Sequence, residues 1–295
     1  MIVSKGIHVG RLLRNNAPTL GLLLAYDVAI TVAYLVLDWH WVAIPMLPLP
    51  LLGSAIALIV TIRNNAAYAR WWEARTLWGA VLNNSRSFAR GVLALVDDPA
   101  VAKDLIRAQI AYALALRCHL LRLSSDEVVA RYLPSDMAAL CRGRANTPAA
   151  IQMAMSRRLA DLRRTGGLDS VAVANLDRTL AAVVDAQGGL ERIKNTPLPR
   201  QYSGLPLIFS RAYCFVLPLG MVDSLGVTTP FGSALIGFMF LILNEIGSDL
   251  EDPFCNDVHD VPMAAITRAI EIDLLQAIGA EEVPPPITPV DGILM

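Results

Sequence analysis

LIVTIRNNAAYARWWEARTLWG, residues 58–79, decides how this chain is read. An apolar run of membrane character passes straight into a charged, tryptophan-rich segment, with no glycine, proline or capping residue to stop a helix between them. The spacing predicts a span that does not end at the membrane surface but continues as helix into water.

The rest of the composition supports a membrane setting. The 295 residues are 55% hydrophobic and 17% charged, with a mean hydropathy of +0.48. A soluble domain carries about 25% charged residues, so much of this chain is predicted to be solvated by lipid. A net charge of −1 gives no bulk attraction to nucleic acid. Cys118, Cys141, Cys214 and Cys255 are scattered, without disulfide-framework or zinc spacing. No nucleophile–base pair, metal constellation, nucleotide-binding glycine fingerprint or internal repeat is evident, so an enzyme is not predicted. A transporter with inverted repeats would carry matching broken helices in its two halves. Here the second span is broken, with only Pro218 as a counterpart. A membrane-anchored scaffold remains a third class.

Four segments have the roughly 20 apolar residues that cross a bilayer: Ala17–Leu37, Ala43–Ile62, Leu205–Leu225 and Thr228–Ile246. They divide the chain into 1–62 with the first two spans, a helical block at 63–203, the last two spans at 204–247, and an acidic turn, helix and tail at 248–295. Twenty of the 25 Lys and Arg residues lie between Arg63 and Arg200, and Lys5, Arg11 and Arg14 precede the first span. The connections Asp38–Val42 and Val222–Val227 hold none. The positive-inside rule then predicts a multi-pass protein of the inner membrane with both termini and the central block cytoplasmic. Within that block, apolar residues recur at helical spacing, and Ser, Asp or Thr near Pro opens segments that close at Gly. One such helix is expected from about Asp169 to Gln187, closing at Gly188–Gly189. The fold class is all-α.

Pro45, Pro48 and Pro50 prevent regular helix early in the second span, although Pro50 suits a first turn. From Leu51 to Ile62 about a dozen residues remain, roughly 18 Å of helix, too short for an independent lipid-facing span. This helix therefore belongs inside a bundle. Ser54, Leu58 and Ile62 form one stripe, which Asn65 continues, and Gly53, Ala55 and Ala57 permit close approach. The pattern fits a packed core helix or a pore-lining one. Elsewhere, Asp27 and Arg211 are charged residues inside spans, where charge is costly. Their similar depth suggests a pair between the first and third spans, the alternative being an Arg211 that snorkels to the interface. Trp71, Trp72 and Trp78 suit an interfacial belt or packing between subunits.

The string RNNAAYARWWEARTLWG at 63–79 resembles the signature that follows the second span of bestrophin-family channels, their bacterial members in particular. GGLERIKNTPLPRQY at 188–202, and DLEDPFCND at 249–257 followed by AIEIDLL at 269–275, extend the likeness over most of the chain. The resemblance implies a homopentamer with one ion pore on its five-fold axis. It places Ser54, Leu58 and Ile62 at the three positions of a hydrophobic neck; Ser54 departs from the bulky apolar residue usual there. It implies a second, cytoplasmic aperture at Leu176, or at Leu180 one turn on.

A Leu58–Ile62 ring offers no hydrogen bonds and gates by dewetting. Amide rings of Asn64 and Asn65 would rehydrate an ion below it, and Arg63 would either attract anions or face neighbouring helices. The favoured function is an anion channel with chloride as the permeant ion, the alternative a Na⁺-conducting homologue. Conduction needs no cofactor. Calcium bound at the acidic turn is a further implication of the resemblance, with side-chain ligands Asp257 and Asp260 and carbonyl oxygens of Asp249 and Asp252. The competing reading is a solvated acidic turn. Expected partners are further copies of the chain, the lipid bilayer and inorganic ions.

Overall fold

The structure, a computed structural model, describes residues 9–45, 48–290 and 292–294, leaving aside the side chains of 9–13 and 15. Lys5 and the side chain of Arg11, used above for orientation, lie outside this set, as do Met46 and Leu47 of the second predicted span. The described chain is helical: α1 Val9–Leu35, α2 Pro48–Leu95, α3 Pro99–Leu120, α4 Asp126–Tyr132, α5 Ser135–Cys141, α6 Thr147–Arg164, α7 Ser170–Asn195, α8 Arg200–Leu225, α9 Thr229–Asp249 and α10 Met263–Ala277. Among the described residues, the extended pairing is one isolated bridge between Val290 and Ile293.

The segment that opened the sequence reading is a single 48-residue helix, α2. It starts at Pro48, with Pro50 in its first turn, where a missing N–H leaves no hydrogen bond unmade. Among the described residues, three stretches are long and apolar enough to cross a membrane: Asn16–Leu35, Pro48–Leu95 and Arg200–Asp249. The last is α8 and α9, separated by a 3₁₀ turn at Gly226–Thr228.

Two compact units account for the chain. One holds residues 9–70 and Pro197–Glu251. In it α1 packs on α8 and α9, and α8 packs on α9. The start of α2 docks on α8 through Leu49, Ile56 and Val60 against Tyr213, Leu217 and Met221. Gly53 is required at that contact, since a Cβ there would lie 2.6 Å from the Tyr213 hydroxyl oxygen.

The other unit holds Trp71–Thr196 and the chain from Asp252 onward. Its core joins Trp78, Phe88 and Val92 of α2 to α3, α6, α7 and α10. α3 lies at the centre, with Leu105, Ile106, Ile110, Tyr112 and Leu116 fully buried. Its start is fixed by Asp98, whose carboxylate accepts from the Ala100 amide at 2.8 Å, and by Pro99 in the first turn. Asn146 and Asp169 cap α6 and α7 in the same way. Trp78 is wholly buried in this core rather than in an interfacial belt, Trp71 is half-buried, and Trp72 is exposed.

α7 differs from its predicted extent. It runs through Gly188–Gly189 to Asn195. A Cβ at Gly189 would sit 2.7 Å from Leu77 Cδ1, so that glycine admits α2 rather than ending a helix. Packing there outweighs the intrinsic cost of about 1 kcal/mol for a glycine inside a helix.

Candidate pore-lining site

The first turns of α2 present two unlike faces. Gly53, Ile56, Val60, Arg63 and Ala67 are buried, at alternating steps of three and four, the spacing of one helix face. Ser54, Leu58, Ile62 and Asn65 are exposed. Leu58 is 62% and Ile62 46% accessible, whereas Val60 between them is 1%. Leu51, Leu52 and Ile59 are also exposed, so the uncovered apolar surface is wider than the stripe. Ser54 Oγ donates to the Pro50 carbonyl at 2.7 Å, which satisfies the hydroxyl inside its own helix and mutes its polarity.

Arg63, next in sequence to Ile62, points the other way. Its Nη1 donates to the Asn244 carbonyl and its Nη2 to Ser248 Oγ, each at 2.9 Å. Glu251 completes an ion pair at 3.4 Å, with the arginine side chain 4% exposed. Arg63 is therefore an intrachain anchor to α9 and not an exposed charge beside the stripe. Asn64 also leaves the position expected of it. Its Nδ2 donates to the Leu243 carbonyl of α9 at 2.7 Å, so Asn65 alone continues the exposed stripe.

Leu176 and Leu180 do not form an exposed constriction. Each is 2% accessible and belongs to the core of its unit. Leu176 fills the notch over Gly91 of α2, where a Cβ would lie 2.8 Å from its Cδ2. Both were placed on the wrong face of α7, whose exposed large apolar residues are Val171, at 70%, and Val184, at 46%.

The predicted pair of Asp27 and Arg211 is likewise not formed. Asp27 is 1% exposed, and its carboxylate oxygens lack a hydrogen bond of good geometry. Arg211 is exposed. The two side chains differ in direction: Asp27 is buried, whereas Arg211 follows buried Ser210 onto the exposed side of α8.

The acidic turn has other uses for its oxygens. Asp252 Oδ2 pairs with Lys194 Nζ at 3.0 Å, and the same ammonium donates to the Phe254 carbonyl at 3.1 Å. Asp260 is buried, and one of its oxygens accepts the amides of Cys255 at 2.6 Å and Asp257 at 3.1 Å. Asp257 is exposed and accepts the Val258 amide at 2.6 Å. Asp249 is the last residue of α9. Among the described residues, no group of three or more His, Cys, Asp or Glu side chains is disposed to hold a metal.

This donor set does not fit calcium, which takes six to eight oxygen ligands. An ammonium already neutralises Asp252, and backbone amides already take up Asp260. Burial pushes Asp252 upward, but hydrogen bonds from Cys255, Lys194 and Phe254 outweigh it and hold the carboxyl below its ordinary range. Burial raises Asp260, against those backbone bonds. The Cys255 thiol, on an exposed residue, is pushed up to about 11 by partial desolvation and by its hydrogen bond to Asp252.

Sequence reasoning missed Lys194, Gly247 and the α9 partners of Arg63. Lys194 lies inside the string GGLERIKNTPLPRQY, and Asn244, Gly247 and Ser248 lie just before DLEDPFCND. What was legible in these strings was their distinctiveness, not which side chains meet.

Residues 6–276 match the sequence profile described as Bacterial/Fungal Bestrophin protein. The voltage-dependent anion channel-forming protein YneE of Escherichia coli K12 is 38% identical over 276 residues, covering 91% of this chain and 89% of its own. The voltage-dependent anion channel-forming protein mll4386 of Mesorhizobium japonicum is 34% identical over 244 residues, 83% of this chain and 78% of that one. The crystal structure of a bacterial bestrophin homologue from Klebsiella pneumoniae superposes with a TM-score of 0.85 at 27% identity, over 89% of this chain and 98% of that one. On the extent of these matches and the helical architecture they share, the chain belongs to the bacterial bestrophin family.

Proposed function

We propose that the chain forms a homopentameric membrane channel for small inorganic anions, chloride first, in which α2 of each copy lines a central pore. The observation that carries this reading is the uncovered Ser54–Leu58–Ile62–Asn65 face of α2, opposite a face occupied by the chain's own α8 and α9. Kinship with proteins named as anion channel-forming supports the ion class.

In this reading α1, the start of α2, α8 and α9 are the four spans. The concentration of Lys and Arg between Arg63 and Arg200 keeps both termini and the central block on the cytoplasmic side of the inner membrane. Rings of Leu58 and Ile62 form a dry constriction without hydrogen-bonding groups, so conduction depends on wetting and on how readily an ion sheds water. Selectivity is graded accordingly. Asn65 supplies the first polar ring below the neck. A second constriction carried by α7 passes to an exposed side chain, Val171 or Val184, rather than Leu176. Conduction needs no bound cofactor, and Lys194 takes the place of a divalent cation at the acidic turn.

One observation favours a second reading, cation conduction. Arg63 is neutralised by Glu251 away from the stripe, and the connections that face outward in this topology carry Asp38 and Asp223 but no Lys or Arg.

Purified protein in planar bilayers tests both. Unitary current steps and a light-scattering mass near five subunits are expected. In asymmetric NaCl the reversal potential should lie toward chloride; a sodium-directed value replaces the anion reading with the cation one, and absence of steps removes the channel.

A further inference from the structure

The face of α2 opposite the stripe is tied to α9 by polar contacts that packing alone does not require. Arg63 reaches Asn244 O and Ser248 Oγ, and Asn64 reaches Leu243 O. Asn244 is fixed in turn, since its Nδ2 donates to Ser210 Oγ of α8 at 2.8 Å and to the Phe240 carbonyl at 2.9 Å. At the centre of these contacts is Gly247. A Cβ added there would lie 2.0 Å from Asn64 Oδ1 and 2.7 Å from Arg63 Nη1. All these residues lie within one compact unit.

Arg63 directly follows Ile62, so the clamp acts beside the inner end of the stripe. Residues 62 and 63 differ by about 100° around a helix of 3.6 residues per turn. Fixing the azimuth of Arg63 and Asn64 therefore fixes that of Ile62 and, one turn back, Leu58. A guanidinium held by three partners resists rotation better than apolar side chains, which can slide past each other with little change in buried area.

We propose that Arg63, Asn64 and Gly247 are positioning residues for conduction. They form a clamp that sets the rotation of α2, and so decides which of its side chains the ion meets. This inference rests on the channel reading. Gly247 supplies close approach, Asn64 and Arg63 supply direction, and none of the three touches the ion.

The test records single channels from full-length wild type, Gly247→Ala, Asn64→Ala, the double variant, Arg63→Lys and Leu58→Ala as a neck control. Gly247→Ala should shift the open–closed ratio by about tenfold, within the range for coupling residues remote from a site. Its assembled mass should remain that of wild type. Asn64→Ala removes the atoms nearest the new methyl group, so the double variant should move back toward wild type. Arg63→Lys keeps the charge but cannot reach the same set of acceptors, and should shift the ratio in the same direction as Gly247→Ala.

Wild-type gating in Gly247→Ala, or a shift that Asn64→Ala does not reverse, overturns the clamp. If Gly247→Ala fails to assemble, Arg63→Lys decides alone: wild-type gating overturns the proposal and altered gating upholds it. A conducting wild type whose currents respond to Leu58→Ala shows the channel reading intact whichever way the clamp falls.

Discussion

Lys194 and Asp252 form an ion pair of 3.0 Å, with the lysine side chain 13% exposed. Because the same ammonium reaches the Phe254 carbonyl, one covalently attached cation serves both a carboxylate and a main-chain oxygen in the turn after α9. A tethered charge does this work at every external calcium concentration.

Thermal stability should therefore be the same with millimolar calcium and with a chelator. Lys194→Met, similar in length but without charge, should destabilise by about 1–3 kcal/mol, the range for losing hydrogen bonds to a charged group. Differential scanning fluorimetry of the solubilised protein checks both; a calcium-dependent rise in wild-type Tm would show that the acidic turn binds calcium after all.

Acid should expose the same pair. A carboxyl held below its ordinary value in the fold, as Asp252 is, contributes stability that is fully present above the ordinary range of about 4. That contribution is lost as pH falls through the lower folded value. Asp260, raised by burial, works in the opposite sense: its contribution is lost as pH rises. The gap in Tm between wild type and Lys194→Met isolates Asp252, and should narrow on acidification below about pH 4.

On α7 the two faces give opposite expectations. Leu176→Ala empties the notch over Gly91 and should destabilise by about 2–5 kcal/mol. Val171→Ala, on an exposed side chain, should change stability by about 0.5 kcal/mol or less. Cysteines at 171 and 184, introduced in a background lacking the four native cysteines, identify the constriction by the current blocked on thiol modification. Block at neither position would place it off α7.

Leu58→Ala should leave folding intact, since Leu58 is 62% exposed within the chain, and should raise unitary conductance by easing wetting of the neck. Val60→Ala, one face away and 1% exposed, should do the reverse: lower stability by about 0.5–1.5 kcal/mol or more without widening the pore. Equal conductance changes in the two would mean that α2 is not oriented as described.

Much of the fold was legible because it follows from periodicity and punctuation. The unbroken passage from Ile62 to Trp71 gave the long helix, and Asn146–Thr147–Pro148 marked the start of α6. Faces were harder to read. On α2 the stripe could be named because proline and small residues limited the choices. On α7 both Leu176 and Val171 sit in an Ala- and Val-rich run with a weak contrast between sides, and only the Gly91 notch distinguishes them. Polar partners were hardest. The bonds of Arg63 and Lys194 span 181 and 60 residues of sequence, and no local pattern encodes contacts at that separation. Asp27 and Arg211 failed for a related reason, since a similar depth along two helices says nothing about azimuth.

From Leu51 to Leu95, α2 contains no proline and no break in its hydrogen-bonded helix. Sharp bends in helices arise at proline, at glycine–serine pairs, at π-bulges or where a side chain enters the backbone ladder; α2 carries one such pair, Gly53–Ser54, at the start of the exposed stripe, and from Ala55 to Arg70 neither proline nor glycine follows it. The one elbow therefore precedes Leu58, and Leu58 and Ile62 share a stretch of helix without a joint between them. Any rearrangement that keeps this stretch helical can redirect the two side chains only by changing their rotamers or by turning them together.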